Sequence, residues 1–182
     1  IAKDASNNTI TTYTGTVHFT STDPQAVLPP DYTFVATDAG VRTFSLGVEL
    51  RTAGTHNVSV NDTVATAATG TQTGIVVTPA PLTFFEITGL AGTTNIGLQN
   101  SFTITAKDPF GNTDVNYTGT VHFTSTDTGA SLPLDYTFST LEGFHLFTPG
   151  VTFQTLGAQT ITVTDTLNGT LTKTSPNVTV NP

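Results

Sequence analysis

The sequence predicts an all-β protein made of two tandem β-sandwiches. Three observations carry that prediction. The stretch YTGTVHFTSTD occurs unchanged at residues 13–23 and 117–127, so the chain is an internal repeat. Within it, Tyr13, Gly15, Val17 and Phe19 share one face of an extended backbone, and Thr14, Thr16, His18 and Thr20 share the other. Such alternation, rich in Val, Phe, Tyr and Thr, marks a half-buried strand. Finally, strand-like segments recur every ~8–12 residues between turns, with no helical period, at about 100 residues per unit, the spacing of a sandwich of about seven strands.

Taken in order, residues 1–4 read as the tail of a strand, followed by a turn at SNN. The second copy shows the same region more fully as SFTITAKDPFGNT, residues 101–113, with Phe102, Ile104 and Ala106 on one face. There DPFGN closes the strand. Asn7 stands where Gly111 stands, and Asn is the residue best able to replace Gly at positive φ. After the duplicated stretch come LPPDYTF and LPLDYTF; Pro makes the approach a loop or an edge, and YTF begins a strand. Residues 40–54 and 143–157 are each expected to hold two short strands, punctuated by the matched pairs Gly40/Gly143, Gly47/Gly150 and Gly54/Gly157. Val58 and Val60 then match Ile161 and Val163, and the copies end in GIVVTP and PNVTVNP.

The offset between copies is 104 residues up to Phe34 and 103 from Thr37 onward, placing a one-residue difference near residues 35–38. The domains are therefore expected at 1–79 and 80–182. The second opens with PLTFFEITGLAGTTNIGLQ, which has no counterpart in the first. The first sandwich is expected to begin inside its second strand and to lack its N-terminal strand altogether.

The chain has 182 residues, only 10% of them charged, with a net charge of −8. That balance argues against nucleic acid and anionic membranes as partners, since both call for basic patches. Thr, Asn and Ser supply the polarity instead. No Cys is present, so neither a disulfide nor a thiol site exists. No apolar run approaches the ~20 residues that span a bilayer, so direct membrane insertion is not expected. A chain that starts at Ile1 is expected to be processed or to belong to something longer.

The run ITAKDPFGN, followed by a short loop and YTGTVHFTSTD, resembles the immunoglobulin-like repeats of bacterial and archaeal surface proteins, including the invasin/intimin-type and filamin-like groups. The resemblance covers the whole chain, departs from the pattern at Asn7, and lacks the Cys pair and Trp of antibody domains. It implies two tandem Ig-like antiparallel sandwiches in an extracellular, cell-surface, rod-like spacer that carries something else outward, often an adhesive tip.

Candidate sites are few. His18 and His122 fall on the outer face of the duplicated strand, while His56 and His145 are not shared between copies; no HExxH or Cys/His cluster accompanies them. Four aspartate pairs recur, Asp4/Asp108, Asp23/Asp127, Asp31/Asp135 and Asp62/Asp165. Standing mostly at strand ends, they read as turn-closing residues. Calcium is the one cofactor weighed for them, and their spread along the chain disfavours it. No nucleophile motif or phosphate-binding loop occurs, so no catalytic residue and no metal ligand is assigned. Six positions match N-x-[ST]: Asn7, Asn57, Asn61, Asn116, Asn168 and Asn177. In PLTFFEITGL, Phe85 and Ile87 share one face and Leu82 and Phe84 the other, so either a neighbouring domain covers the second face or the strand twists between sheets.

A sandwich without its first strand leaves an unpaired edge and an open groove. The missing strand lies upstream in a longer array, or comes from another copy by strand addition, or the domain tolerates its loss. Ile1 and Ala2, with Leu82, Phe84, Phe85 and Ile87, are therefore the candidate inter-domain or inter-subunit strand contacts. The expected function is a non-enzymatic stiff spacer or filament building block of a fibre, stalk or adhesin. Its expected partners are neighbouring Ig-like repeats of the same protein or other copies in a fibre. The alternatives are a module binding a carbohydrate or host protein, and an accessory domain of a secreted enzyme.

Overall fold

The duplicated stretch forms the same six-residue strand in both copies of the computed structural model, which describes every residue from Ile1 to Pro182. The chain divides into two compact units, Ile1–Thr78 and Pro79–Pro182. Both are all-β apart from one 3-10 turn at Ala36–Asp38.

The first unit holds β1 (Thr16–Ser21), β2 (Tyr32–Thr33), β3 (Gly54–Asp62) and β4 (Thr69–Val77). They make one antiparallel sheet in the order β2-β1-β3-β4. β1 is thus central, paired with β2 through Val17↔Tyr32 and with β3 through Phe19↔Val60. Its outer face carries a threonine pair, Thr16 to Thr33 at 2.8 Å between hydroxyls, a neutral cross-strand contact suited to a solvated sheet.

The second unit holds β5 (Phe84–Thr88), β6 (Thr93–Asn95), β7 (Gln99–Lys107), β8 (Thr120–Ser125), β9 (Tyr136–Thr137), β10 (Phe144–Thr152), β11 (Gly157–Gln159), β12 (Ile161–Asp165), β13 (Thr172–Thr174) and β14 (Val178–Asn181). The sheet β13-β12-β8-β9 reproduces the sheet of the first unit. Against it lies β10-β7-β5, and a third sheet, β11-β14-β6, joins β14 to β6 in parallel. Alternation along β7 sends Phe102, Ile104 and Ala106 inward, all at 0% exposure. Phe102 meets Phe123 of β8 and Phe147 of β10, with ring centres 5.7 and 5.2 Å apart. One apolar cluster includes these residues with Phe85, Val121, Phe138, Val151, Phe153, Ile161, Val163, Val178 and Val180.

The first unit has no such core. Phe34 is its one buried apolar side chain, while Val17, Phe19, Phe44 and Val60 are half-buried. The cause lies in the topology. In the second unit β7 pairs with β10 on one side and β5 on the other. Only its last three residues, Thr105–Ala106–Lys107, have counterparts in the first unit, Ile1–Ala2–Lys3.

Two sequence expectations are corrected here. Residues 41–48 form no strand; only an isolated bridge, Val27 to Glu49, marks the segment. The matching β10 is one strand rather than two, with a register shift between Phe147 and Val151. β10 draws its hydrogen bonds from β7, and without that partner the backbone of the first copy has no ladder to join. The one-residue difference falls slightly later than the alignment placed it. Tyr32 donates to Asp38 as Tyr136 donates to Glu142. The two copies therefore run in step to Asp38, and the extra residue is Ala39, at φ 47°. The first turn behaves as expected: Asn7 has φ 68° where Gly111 has φ 87°.

Candidate functional site

The polar residues shared by the two copies form three structural devices. The first joins the start of the duplicated stretch to the end of β3 or β12. Tyr13 donates its hydroxyl to Asp62 at 2.6 Å, and Tyr117 donates to Asp165 at 2.5 Å. Each carboxylate also accepts two backbone N–H groups of the following turn, from Val64 and Ala65 or from Leu167 and Asn168. The glycine of YTG is required at this place. A Cβ on Gly15 or Gly119 would overlap both the tyrosine ring and the aspartate oxygen. Burial, then the carboxylate bond and charge, pushes the Tyr13 phenol up to about 12 and raises that of Tyr117 further. The Tyr13 hydroxyl, followed by the N–H groups of Ala65 and Val64, holds the Asp62 carboxyl below its ordinary value. Burial works to raise Asp165, but the Tyr117 hydroxyl and the two N–H groups outweigh it and the carboxyl is lowered.

The second device is the aspartate-closed turn. Asp4 accepts the N–H groups of Ser6 and Asn8, and Asp108 those of Phe110 and Asn112. In the second unit the remaining oxygen of Asp108 accepts the Ala80 N–H, and Asp114 accepts that of Leu82. Both fasten the chain where it enters β5. Asp127 is 3% exposed and accepts from the backbone of Gly129, Gln154 and Thr155 and from the Thr155 hydroxyl. Asp23 accepts likewise from Gln25, Arg51 and Thr52. These bonds overcome burial and lower both carboxyls. No three His, Cys, Asp or Glu side chains converge as a metal site.

The third device is exposed. Nδ1 of His18 donates to Asp31 and that of His122 to Asp135, both at 2.6 Å, with all four side chains about half exposed. These two aspartates serve the histidine opposite rather than a turn. One cluster on the same sheet preserves a role through different residues. Tyr136 donates to Glu142, His145 stacks on its ring at 3.8 Å and also reaches Glu142. In the first unit Tyr32 donates to Asp38 and Arg42 lies 4.7 Å over the ring. Sequence comparison set His145 apart as unshared, yet Arg42 holds its place, a planar nitrogen-bearing side chain over the tyrosine face in both.

The candidate strand contacts fall in two places. Phe85 is fully buried and Ile87 and Leu82 are partly buried, all against the core of their own unit, while Phe84 is 40% exposed. Ile1 and Ala2 line a groove of about 670 Å³ in the first unit, together with Tyr13, Val17, Phe19 and Phe44. Among the sequons, Asn7, Asn116, Asn168 and Asn177 are exposed. Asn57 and Asn61 are half-buried within β3, and Asn57 accepts the Gly74 N–H. His56 is buried and reaches the Thr52 carbonyl at 2.8 Å.

No protein-family profile and no curated protein matches the chain. Among solved structures, domains 4 and 5 of the S-layer protein SbsC match 99% of this chain and 78% of that one, at 22% identity and a TM-score of 0.41. The rSbsC(31-844) structure matches 98% of this chain at 22% identity and a TM-score of 0.39, and this chain spans 22% of that length. At these values no residue role passes from those proteins to this one.

Proposed function

We propose that the chain is a non-enzymatic structural repeat of an extracellular, cell-surface protein, the second unit an Ig-like sandwich and the first unit the matching half of one. One observation carries the reading. The buried carboxylates common to both copies, Asp23/Asp127 and Asp62/Asp165, hold backbone N–H groups of the unit's own turns. A repeat whose shared polar residues fasten its loops is built to keep its shape. The outer faces support the same reading, because threonine pairs such as Thr162–Thr174 and Thr164–Thr172 make a sheet that stays solvated with few charges. In the spacer role each unit adds length and resists unfolding under load.

Two measurements test this. Antibodies raised against the chain should label intact source cells; labelling that appears only after lysis overturns the surface assignment. Pulling the chain by its ends should unfold the second unit in one step, releasing at most ~3.6 Å per residue; smooth extension without a step overturns the load-bearing role.

A further inference from the structure

The groove of the first unit corresponds to the core of the second with three fully buried side chains absent, together with the partly buried Leu82, Ile87 and Leu90 beside them. Phe123 and Phe147 of the second unit lie 4.8 Å apart between ring centres, and their counterparts Phe19 and Phe44 lie 5.0 Å apart. This aromatic pair therefore keeps its spacing although residues 41–48 form no strand. What differs is the filling: Phe85, Phe102 and Ile104, all at 0% exposure in the second unit, have no counterpart in the first.

The rim is also preset. The Ala2 N–H donates to the Gly40 carbonyl as that of Ala106 donates to Gly143, and Lys3 bridges to Thr9 as Lys107 bridges to Thr113. In the second unit that same backbone, Ala106 and Lys107, pairs with Phe85 and Phe84 of β5. The first unit holds the matching residues in the same register with nothing paired on that side in this chain.

We propose that this groove is the seat of a β-hairpin of the β5–β7 pattern, supplied by polypeptide outside residues 1–182. Its pairing strand carries an aromatic residue at the place of Phe85, and its second strand carries an aromatic and an aliphatic residue, two apart, at the places of Phe102 and Ile104. The occupant is a hairpin of this repeat type and not a second copy of this chain. A copy has no such hairpin to spare: its own is hydrogen-bonded within the β10-β7-β5 sheet, with all three side chains sealed in its core. Lending it would open the second unit to close the first. The inference concerns how a repeat is completed and holds whether or not the protein lies at a cell surface.

The test uses the full chain with a synthetic peptide of residues 81–104 as probe, and in parallel a variant with the same segment joined directly to Ile1. The expected result is one-to-one binding in which amides of residues 1–3 and 41–48, the counterparts of those that pair with β5 and β7 in the second unit, become protected from hydrogen exchange while those of the second unit do not change. Aspartate at the three core positions of the peptide should weaken binding at least about a hundredfold, since each buried side chain is worth more than a factor of ten. In the joined variant the same amides should be protected without added peptide, and the aspartate form should lose that protection. Absence of protection in both arms overturns the proposal. Concentration-dependent self-association of the chain alone that protects these amides overturns it in favour of a second copy. An apolar dye that fills the groove and is not displaced by the peptide overturns it in favour of a small-molecule site.

Discussion

Replacing Asp127 by Asn should destabilise the second unit measurably. Oδ1 accepts the Gly129 N–H and the Thr155 hydroxyl, and Oδ2 accepts the N–H groups of Gln154 and Thr155. An amide has one oxygen; the milder orientation places the NH₂ at the Oδ1 site, where the Thr155 hydroxyl can rotate to accept and the Gly129 N–H is left unpaired. One bond to a charged acceptor is then lost outright, at ~1.5–3 kcal/mol. Against a domain stability of ~5–15 kcal/mol, that removes roughly a tenth or more. With a urea dependence of ~1–3 kcal/mol per molar, the midpoint should fall by roughly 0.5–3 M. Unit-resolved hydrogen exchange alongside urea melts will assign the loss to residues 79–182.

The pH dependence gives a second reading of the same bond set. The folded Asp127 carboxyl lies below its ordinary value, so its contribution is complete above the unfolded value near ~4 and disappears as pH falls through the folded one. Wild type and the Asn variant should therefore differ fully at pH 6 and converge in strong acid. A midpoint shift under about 0.3 M at pH 6, or a difference that persists undiminished to about pH 2, would refute the bond accounting.

Four further outcomes are expected. Gly119→Ala forces apart the Tyr117 hydroxyl and Asp165 and should cost about 1–3 kcal/mol by overpacking; ultraviolet titration should then show Tyr117 ionising at lower pH. The raised tyrosines also set an alkaline limit. Tyr13 and Tyr136, both pushed up to about 12, contribute stability that is complete below ~10 and lost as pH rises through the folded values, so thermal melts should soften above pH 10. Phe85→Ala should cost the second unit about 3–5 kcal/mol and leave exchange in the first unit unchanged. If the source glycosylates N-x-[ST] sites, peptide mapping should find glycan at the exposed Asn7, Asn116, Asn168 or Asn177 and not at Asn57 or Asn61, which lie half-buried within β3.

The strands of the repeated region were legible because their period is two and their faces differ: Val17 and Phe19 turn inward while His18 stays out. The turn aspartates were legible for the same local reason, since Asp4 and Asp108 act within four residues of themselves. What the sequence hid was long-range. Tyr13 reaches Asp62 across 49 positions, and nothing in the spacing of either residue announces the partner. The pairing of His18 with Asp31 was hidden because Asp31 sits beside Pro30 in a stretch that reads as a turn. Arg42 and His145 were obscured by chemistry rather than distance, as identity matching cannot see that two different planar side chains cover the same tyrosine face.

The two copies separate sequence from environment with unusual clarity. YTGTVHFTSTD folds to the same strand twice, with the same threonine pair to its neighbour and the same Tyr–Asp bond. Yet Val121 and Phe123 are buried, at 0% and 3% exposure, while the identical Val17 and Phe19 are only half so. Residues 144–152 form a strand and residues 41–48 do not, although both follow a positive-φ glycine and an aromatic or cationic anchor. Neither difference originates in the segments that show it. Both follow from β7, whose inward side chains complete the core and whose backbone supplies the ladder for β10. Local sequence thus decides that a strand can form, and the adjacent strand decides whether it is used. The sheet shared by both units is the half of the repeat that takes the same form in both surroundings. The β5–β7 hairpin turns that half into a closed sandwich, because its inward side chains are the ones around which the core of the second unit is built.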